Sequence, residues 1–157
     1  MTDYQARLDD EDKILTPYKV RQLEPSDLDI QPPSTQGTGR TPDELREELR
    51  ETAKEAAKNS ITGNGAAVYT DGNNIYSGAE LEIPSKDDTA HALRVAIYKA
   101  LSEGDSEVSD VAVYSDTRHV EICSSCRSLL EDFGTSGLTI RTIDTTGRER
   151  QYSLDEI

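Results

Sequence analysis

Cys123-Ser124-Ser125-Cys126-Arg127-Ser128-Leu129-Leu130-Glu131-Asp132-Phe133-Gly134 reads as a short helix opened by a C-x-x-C pair and ended by a glycine, and its setting decides the fold. Val108 to Tyr114 before it is apolar enough for a buried central strand, and Leu138 to Ile143 after it is another. Further upstream, Leu93, Ala96, Ile97, Ala100 and Leu101 follow helical spacing, with Thr89 placed as a cap and His91 in the first turn. Gly65-Ala66-Ala67-Val68-Tyr69-Thr70 and Ile75-Tyr76-Ser77-Gly78-Ala79 flank the turn Asp71-Gly72-Asn73-Asn74 and predict a hairpin. Thr41-Pro42-Asp43-Glu44 supplies an N-cap, a proline at the first helical position and a glutamate to close a capping box. A helix is expected from there to Lys58, with Leu45, Leu49, Ala53, Ala56 and Ala57 as its apolar face. Arg150 to Leu154 adds a last strand beyond the turn Thr145-Thr146-Gly147. The order α-β-β-α-β-α-β-β predicts an α/β domain over residues 42–157: a mixed sheet covered on both faces, in three α/β/α layers.

The chain holds two cysteines, and both are in the C-x-x-C pair. Their spacing lets two thiolates face one metal ion from the first turn of a helix, and His91 is available as a third ligand. Three protein ligands leave a tetrahedral zinc with its fourth position open for water, as in a catalytic rather than a closed structural site. On the cysteines alone a dithiol redox motif stands level with a metal site. A structural disulfide is disfavoured, because so small a loop adds little stability. His119 has no identifiable partner in the sequence.

The chain has 157 residues with 34% hydrophobic content, enough for one compact α/β unit with an appendage. Residues 1–41 are charged and proline-bearing and read as an extension without its own core. They form either a solvated linker or, through Ile14, Leu15, Tyr18, Val20 and Leu23, an anchor for a protein partner. There are 31 Asp and Glu against 17 Lys and Arg, a formal charge of -14, and the acid excess is dispersed. A nucleic acid would meet net repulsion, and no local basic patch offsets it. Dispersed carboxylates with scarce lysine suggest a halophilic protein, the alternative being an ordinary acidic one. No stretch has the length of a membrane-spanning helix and Met1-Thr2-Asp3-Tyr4 lacks signal-peptide character, so a cytoplasmic location is expected.

Several segments, in order, resemble the cytidine deaminase family. Gly65-Ala66-Ala67-Val68 is similar to its V-G-A-A-L strand, and Asp71-Gly72 through Ser77-Gly78 to its D-G-x-x-x-x-G hairpin. His91-Ala92-Leu93-Arg94-Val95-Ala96-Ile97-Tyr98-Lys99-Ala100-Leu101-Ser102-Glu103-Gly104 resembles [CH]-A-E-R-T-A-I-x-K-A-x-S-E-G. Val113-Tyr114-Ser115-Asp116-Thr117 and Cys123-Ser124-Ser125-Cys126-Arg127 resemble V-x-S-D-T and P-C-G-x-C-R. The resemblance implies zinc held by His91, Cys123 and Cys126 at two helix N-termini, a pyrimidine nucleoside as ligand, and a homo-oligomer, dimer or tetramer. It places Ala66 and Glu82 against the nucleoside, and Arg94 and Arg127 near the thiolates.

The departures bear on chemistry. Leu93 stands where the family has the glutamate that acts as general acid/base. Glu80 replaces the asparagine of the sugar-binding Asn/Glu pair, Thr62 replaces an aromatic residue that packs on the nucleoside, and Ile122 replaces the proline before the first cysteine. The leading expectation is a zinc-binding relative impaired in catalysis and retained for binding or assembly. The alternative is an active deaminase in which Glu121, Glu82 or a neighbouring subunit supplies the carboxylate. A metal-free dithiol redox protein is a third class.

Overall fold

The computed structural model describes residues 39–84, 88–117 and 120–157; the anchor segment around Ile14 to Leu23 and His119 lie outside them. The elements in chain order are α1 (Pro42–Ala57), β1 (Asn64–Thr70), β2 (Ile75–Ala79), β3 (Leu81–Ile83), β4 (Asp88–Ala90), α2 (Ala92–Ser102), β5 (Val108–Ser115), α3 (Ser124–Phe133), β6 (Gly134–Ile143), β7 (Glu149–Tyr152) and a final 3₁₀ turn, Leu154–Glu156. Five strands form one sheet in the order β2-β1-β5-β6-β7. Only the β5/β6 pair is parallel, joined through α3, so the sheet is mixed as expected.

Strand alternation sorts the core into two layers. Ala66, Val68, Val111 and Val113 point to one face, where they pack with Ala92, Leu93, Ala96 and Ile97 of α2 and Cys126 and Leu130 of α3. Ala67, Ala112 and Ile143 point to the other, against Leu49 and Ala53 of α1. Helix α1 begins as the sequence predicts: Glu44 N–H donates to Thr41 Oγ1 at 3.2 Å, and Thr41 N–H donates to Glu44 Oε2 at 2.7 Å.

Two glycines set how closely the helices lie on the sheet. A Cβ at Gly65 would fall 2.1 Å from the Ala53 carbonyl oxygen and 2.5 Å from the Ala57 nitrogen, and one at Gly78 would fall 2.2 Å from the Ala92 carbonyl oxygen. These neighbours are helix backbone and cannot rotate away. Gly65→Ala is therefore expected to cost about 1–3 kcal/mol or more despite alanine's better strand propensity, because forced displacement of α1 outweighs a few tenths. A lower urea midpoint checks this; an unchanged or higher midpoint contradicts it.

One expectation needs correction, and one element was missed. Thr89 does not cap α2: it lies in β4 opposite Glu82, and His91 occupies the N-cap without a hydrogen bond from its side chain to the helix amides. The short β3/β4 ribbon was not anticipated, since three-residue strands carry no usable alternation. Gly134 ends α3, as expected. It is extended (φ -80°, ψ 143°) and starts β6 directly, and its glycine is required because a Cβ would strike the Leu130 carbonyl oxygen at 2.4 Å.

Candidate metal centre and ligand cavity

His91 and Cys123 are the N-cap residues of α2 and α3, so the packing of those two helices brings their N-termini, and Cys126 one turn into α3, to a single point. His91 Nδ1 lies 3.0 Å from Cys123 Sγ and 3.6 Å from Cys126 Sγ, and the three ligand atoms fall within 4.8 Å of one another. Zinc bonds of about 2.3 Å to sulfur and about 2.0 Å to nitrogen give a tetrahedral N···S edge of roughly 3.5 Å. Both N···S separations therefore lie within about half an ångström of that edge, and the trio fits the ion after a small adjustment. When bound, zinc supplies Lewis acidity and one open coordination position.

The two thiols are electrostatically unlike. Burial pushes Cys123 up, but the Ser125 hydroxyl, the Cys126 backbone N–H and thiol, and His91 outweigh it and bring its pKa down to about 6. Burial, and then the hydrogen bond and negative charge of Cys123, push Cys126 up to about 12. Helix α3 favours the thiolate at its N-terminus, and the buried Cys126 keeps its proton until a cation displaces it. Arg94 reaches Cys123 indirectly, donating from Nη2 to Ser125 Oγ at 2.5 Å, with that hydroxyl 3.1 Å from Cys123 Sγ. Arg127 is engaged by Glu131 at 2.9 Å and by the Ile157 carbonyl oxygen.

Beside the trio lies a cavity of about 240 Å³. Leu93, Ala92, Val113, Val120 and Ile122 give it an apolar wall. Leu93 is 3% exposed and extends the buried stripe of α2. The polar wall comes from Asn64, Glu80, Ser115, Thr117 and Glu121. Glu121 thus borders the cavity, whereas Glu82 is exposed on β3 outside its lining and Ala66 is fully buried between the sheet and α2.

Asn64 and Ser115 were missed from sequence; the antiparallel β1/β5 register sets them opposite one another at adjoining strand ends. Ser115 Oγ donates to Asn64 Oδ1 at 2.5 Å, and Asn64 Nδ2 donates to Glu80 Oε1 at 3.1 Å. Thr62 Oγ1 donates to the same Glu80 oxygen at 2.7 Å.

Comparison with known proteins accords with this geometry. The family model described as the cytidine and deoxycytidylate deaminase zinc-binding region matches residues 40–142. A cytidine deaminase of Halalkalibacterium halodurans is 30% identical over 94 residues, covering 59% of this chain and 71% of that protein. The structure of cytidine deaminase from Burkholderia pseudomallei superimposes with a TM-score of 0.64 at 24% identity, over 70% of this chain and 93% of that one. A mutant cytidine deaminase from Mycobacterium tuberculosis gives 0.55 at 26% identity, over 71% and 92%. With its zinc ligands converging at two helix N-termini beside a small cavity, this chain belongs to the cytidine and deoxycytidylate deaminase zinc-binding family.

Proposed function

We propose that the protein is a zinc-binding member of the family that is impaired in hydrolytic deamination and retained for binding a pyrimidine nucleoside or for assembly. The observation that carries this reading is Leu93, an aliphatic side chain lining the cavity beside His91, Cys123 and Cys126. Deamination needs a group beside the metal that takes a proton from water and returns it to the ring nitrogen and the departing amine. Leu93 can neither hold nor move a proton. It contributes packing instead, so the scaffold tolerates it. Cytidine turnover measured on zinc-verified protein tests the reading.

A second reading keeps activity and is favoured by one observation: Glu121 and Glu80 are carboxylates in the same cavity lining. Glu82, the other carboxylate considered from sequence, has no place in that lining.

The same proposal includes a homo-oligomer, dimer or tetramer, in the cytoplasm. Ile61, Leu81, Ile83 and Tyr98 stay exposed on the isolated chain, and their burial between copies would remove unfavourable apolar surface. No helix among the described residues is long and apolar enough to cross a membrane. Light scattering on purified protein gives the assembly state, and a monomer at micromolar concentration contradicts the oligomer.

A halophilic origin is proposed from the charge of -14. Exposed pairs such as Lys54–Glu51, at 3.0 Å, contribute little, so unpaired acidic repulsion dominates the salt dependence. Removing salt lengthens the screening distance from about 3 Å at 1 M to about 10 Å at 0.1 M. Melting temperature is expected to fall as potassium chloride is lowered over that range. A flat or rising series contradicts the origin.

A further inference from the structure

Glu80 is held in a way that leaves half of its carboxylate for a ligand. Its backbone N–H donates to the Asn64 carbonyl oxygen at 3.0 Å, fixing where the side chain starts. Oε1 then accepts from Thr62 at 2.7 Å and Asn64 at 3.1 Å, and no donor among the described residues reaches Oε2. Asn64 is committed at both ends, since its Oδ1 accepts from Ser115, so its amide serves to orient Glu80. Among the described residues no lysine or arginine lines the cavity, and the only other carboxylate there is Glu121. The polar wall therefore offers an oriented acceptor with negative charge.

We propose that Glu80 is the specificity-determining residue of this cavity, selecting a ligand that presents a hydrogen-bond donor to its free oxygen, and an ammonium group in preference to a hydroxyl. The inference rests on the nucleoside reading above and narrows it to nucleosides that carry an amine. A carboxylate held by two side chains has lost its freedom to rotate away, so a donor meeting it pays little ordering cost. A charged donor makes a hydrogen bond roughly twice as strong as a neutral one. A phosphate brought near Glu80 and Glu121 meets like charge, with no lysine or arginine among the described lining residues to offset it.

The test is calorimetric titration of the zinc-loaded protein with cytidine, its 2′-amino and 3′-amino analogues in protonated form, and cytidine 5′-phosphate. At least one amino analogue is expected to bind about tenfold or more tightly than cytidine, and the phosphate more weakly than cytidine. Glu80→Gln keeps the shape and one accepting oxygen, and is expected to bring the amine preference close to unity. Thr62→Val leaves the charge but loosens its orientation, and is expected to reduce the preference part of the way. Melting curves of both variants confirm that they are folded. If cytidine binds and the amino analogues gain nothing, or the gain persists in Glu80→Gln, the proposal for Glu80 is overturned alone. If none of the four compounds binds any form, the nucleoside reading falls and the proposal with it.

Discussion

Cytidine or deoxycytidine added to the zinc-loaded protein is expected to yield uridine or deoxyuridine at background, or at a rate lowered by on the order of a hundred- to ten-thousand-fold or more relative to a related enzyme carrying the glutamate. The lower limit is what one positioned acid/base contributes, and the loss grows because the same group serves successive proton transfers. Nothing in the apolar wall of Leu93, Val113, Val120 and Ile122 replaces it. Ultraviolet detection in molar salt, with zinc measured in the same sample, suffices. Leu93→Glu is expected to raise turnover above the wild type while lowering the stability of the metal-free protein, because a carboxylate at a position 3% exposed is costly to bury. Robust deamination by the wild type would refute the impaired-enzyme reading. Glu121→Gln and Glu80→Gln would then identify which carboxylate in the cavity lining has taken over.

Much of this site was legible before the structure because its ligands lie at helix starts, where sequence signals are strong. Thr41, Pro42 and Glu44 announced α1, and the C-x-x-C pair announced α3. The central strands were legible because β1 and β5 are apolar on both faces. The polar wall was not. Asn64 and Ser115 look like ordinary strand-end residues until antiparallel register sets them opposite one another, and a register is a long-range property that no local window contains. Glu80 was visible only as a departure from a family position; its fixed geometry depends on Thr62, from the turn before β1, and Asn64, the first residue of β1. Gly134 was legible as the residue that ends α3; the close approach of the Leu130 carbonyl oxygen, which also requires a glycine there, was not.

Cys126→Ser is expected to lose most of the bound zinc and, with it, several kcal/mol of apparent stability at saturating metal. The wild type should carry close to one zinc per chain, since His91, Cys123 and Cys126 converge with spacing suited to a single tetrahedral ion. Metal that binds the folded chain and not the unfolded one stabilises by mass action, about 4 kcal/mol at a thousandfold excess over Kd. Serine keeps the volume and the buried position but offers no thiolate, leaving one sulfur and one imidazole to hold the ion. The loss should be specific to the metal: without zinc, Cys126→Ser and wild type should melt within a few degrees of each other, because Leu130 and the rest of the core around position 126 are untouched. Zinc content by mass spectrometry and paired melts with and without chelator separate these terms. Wild-type protein prepared without chelator, supplied with zinc and found metal-free would remove the basis for the centre. A chelator-independent gap between the two proteins would instead assign Cys126 to packing.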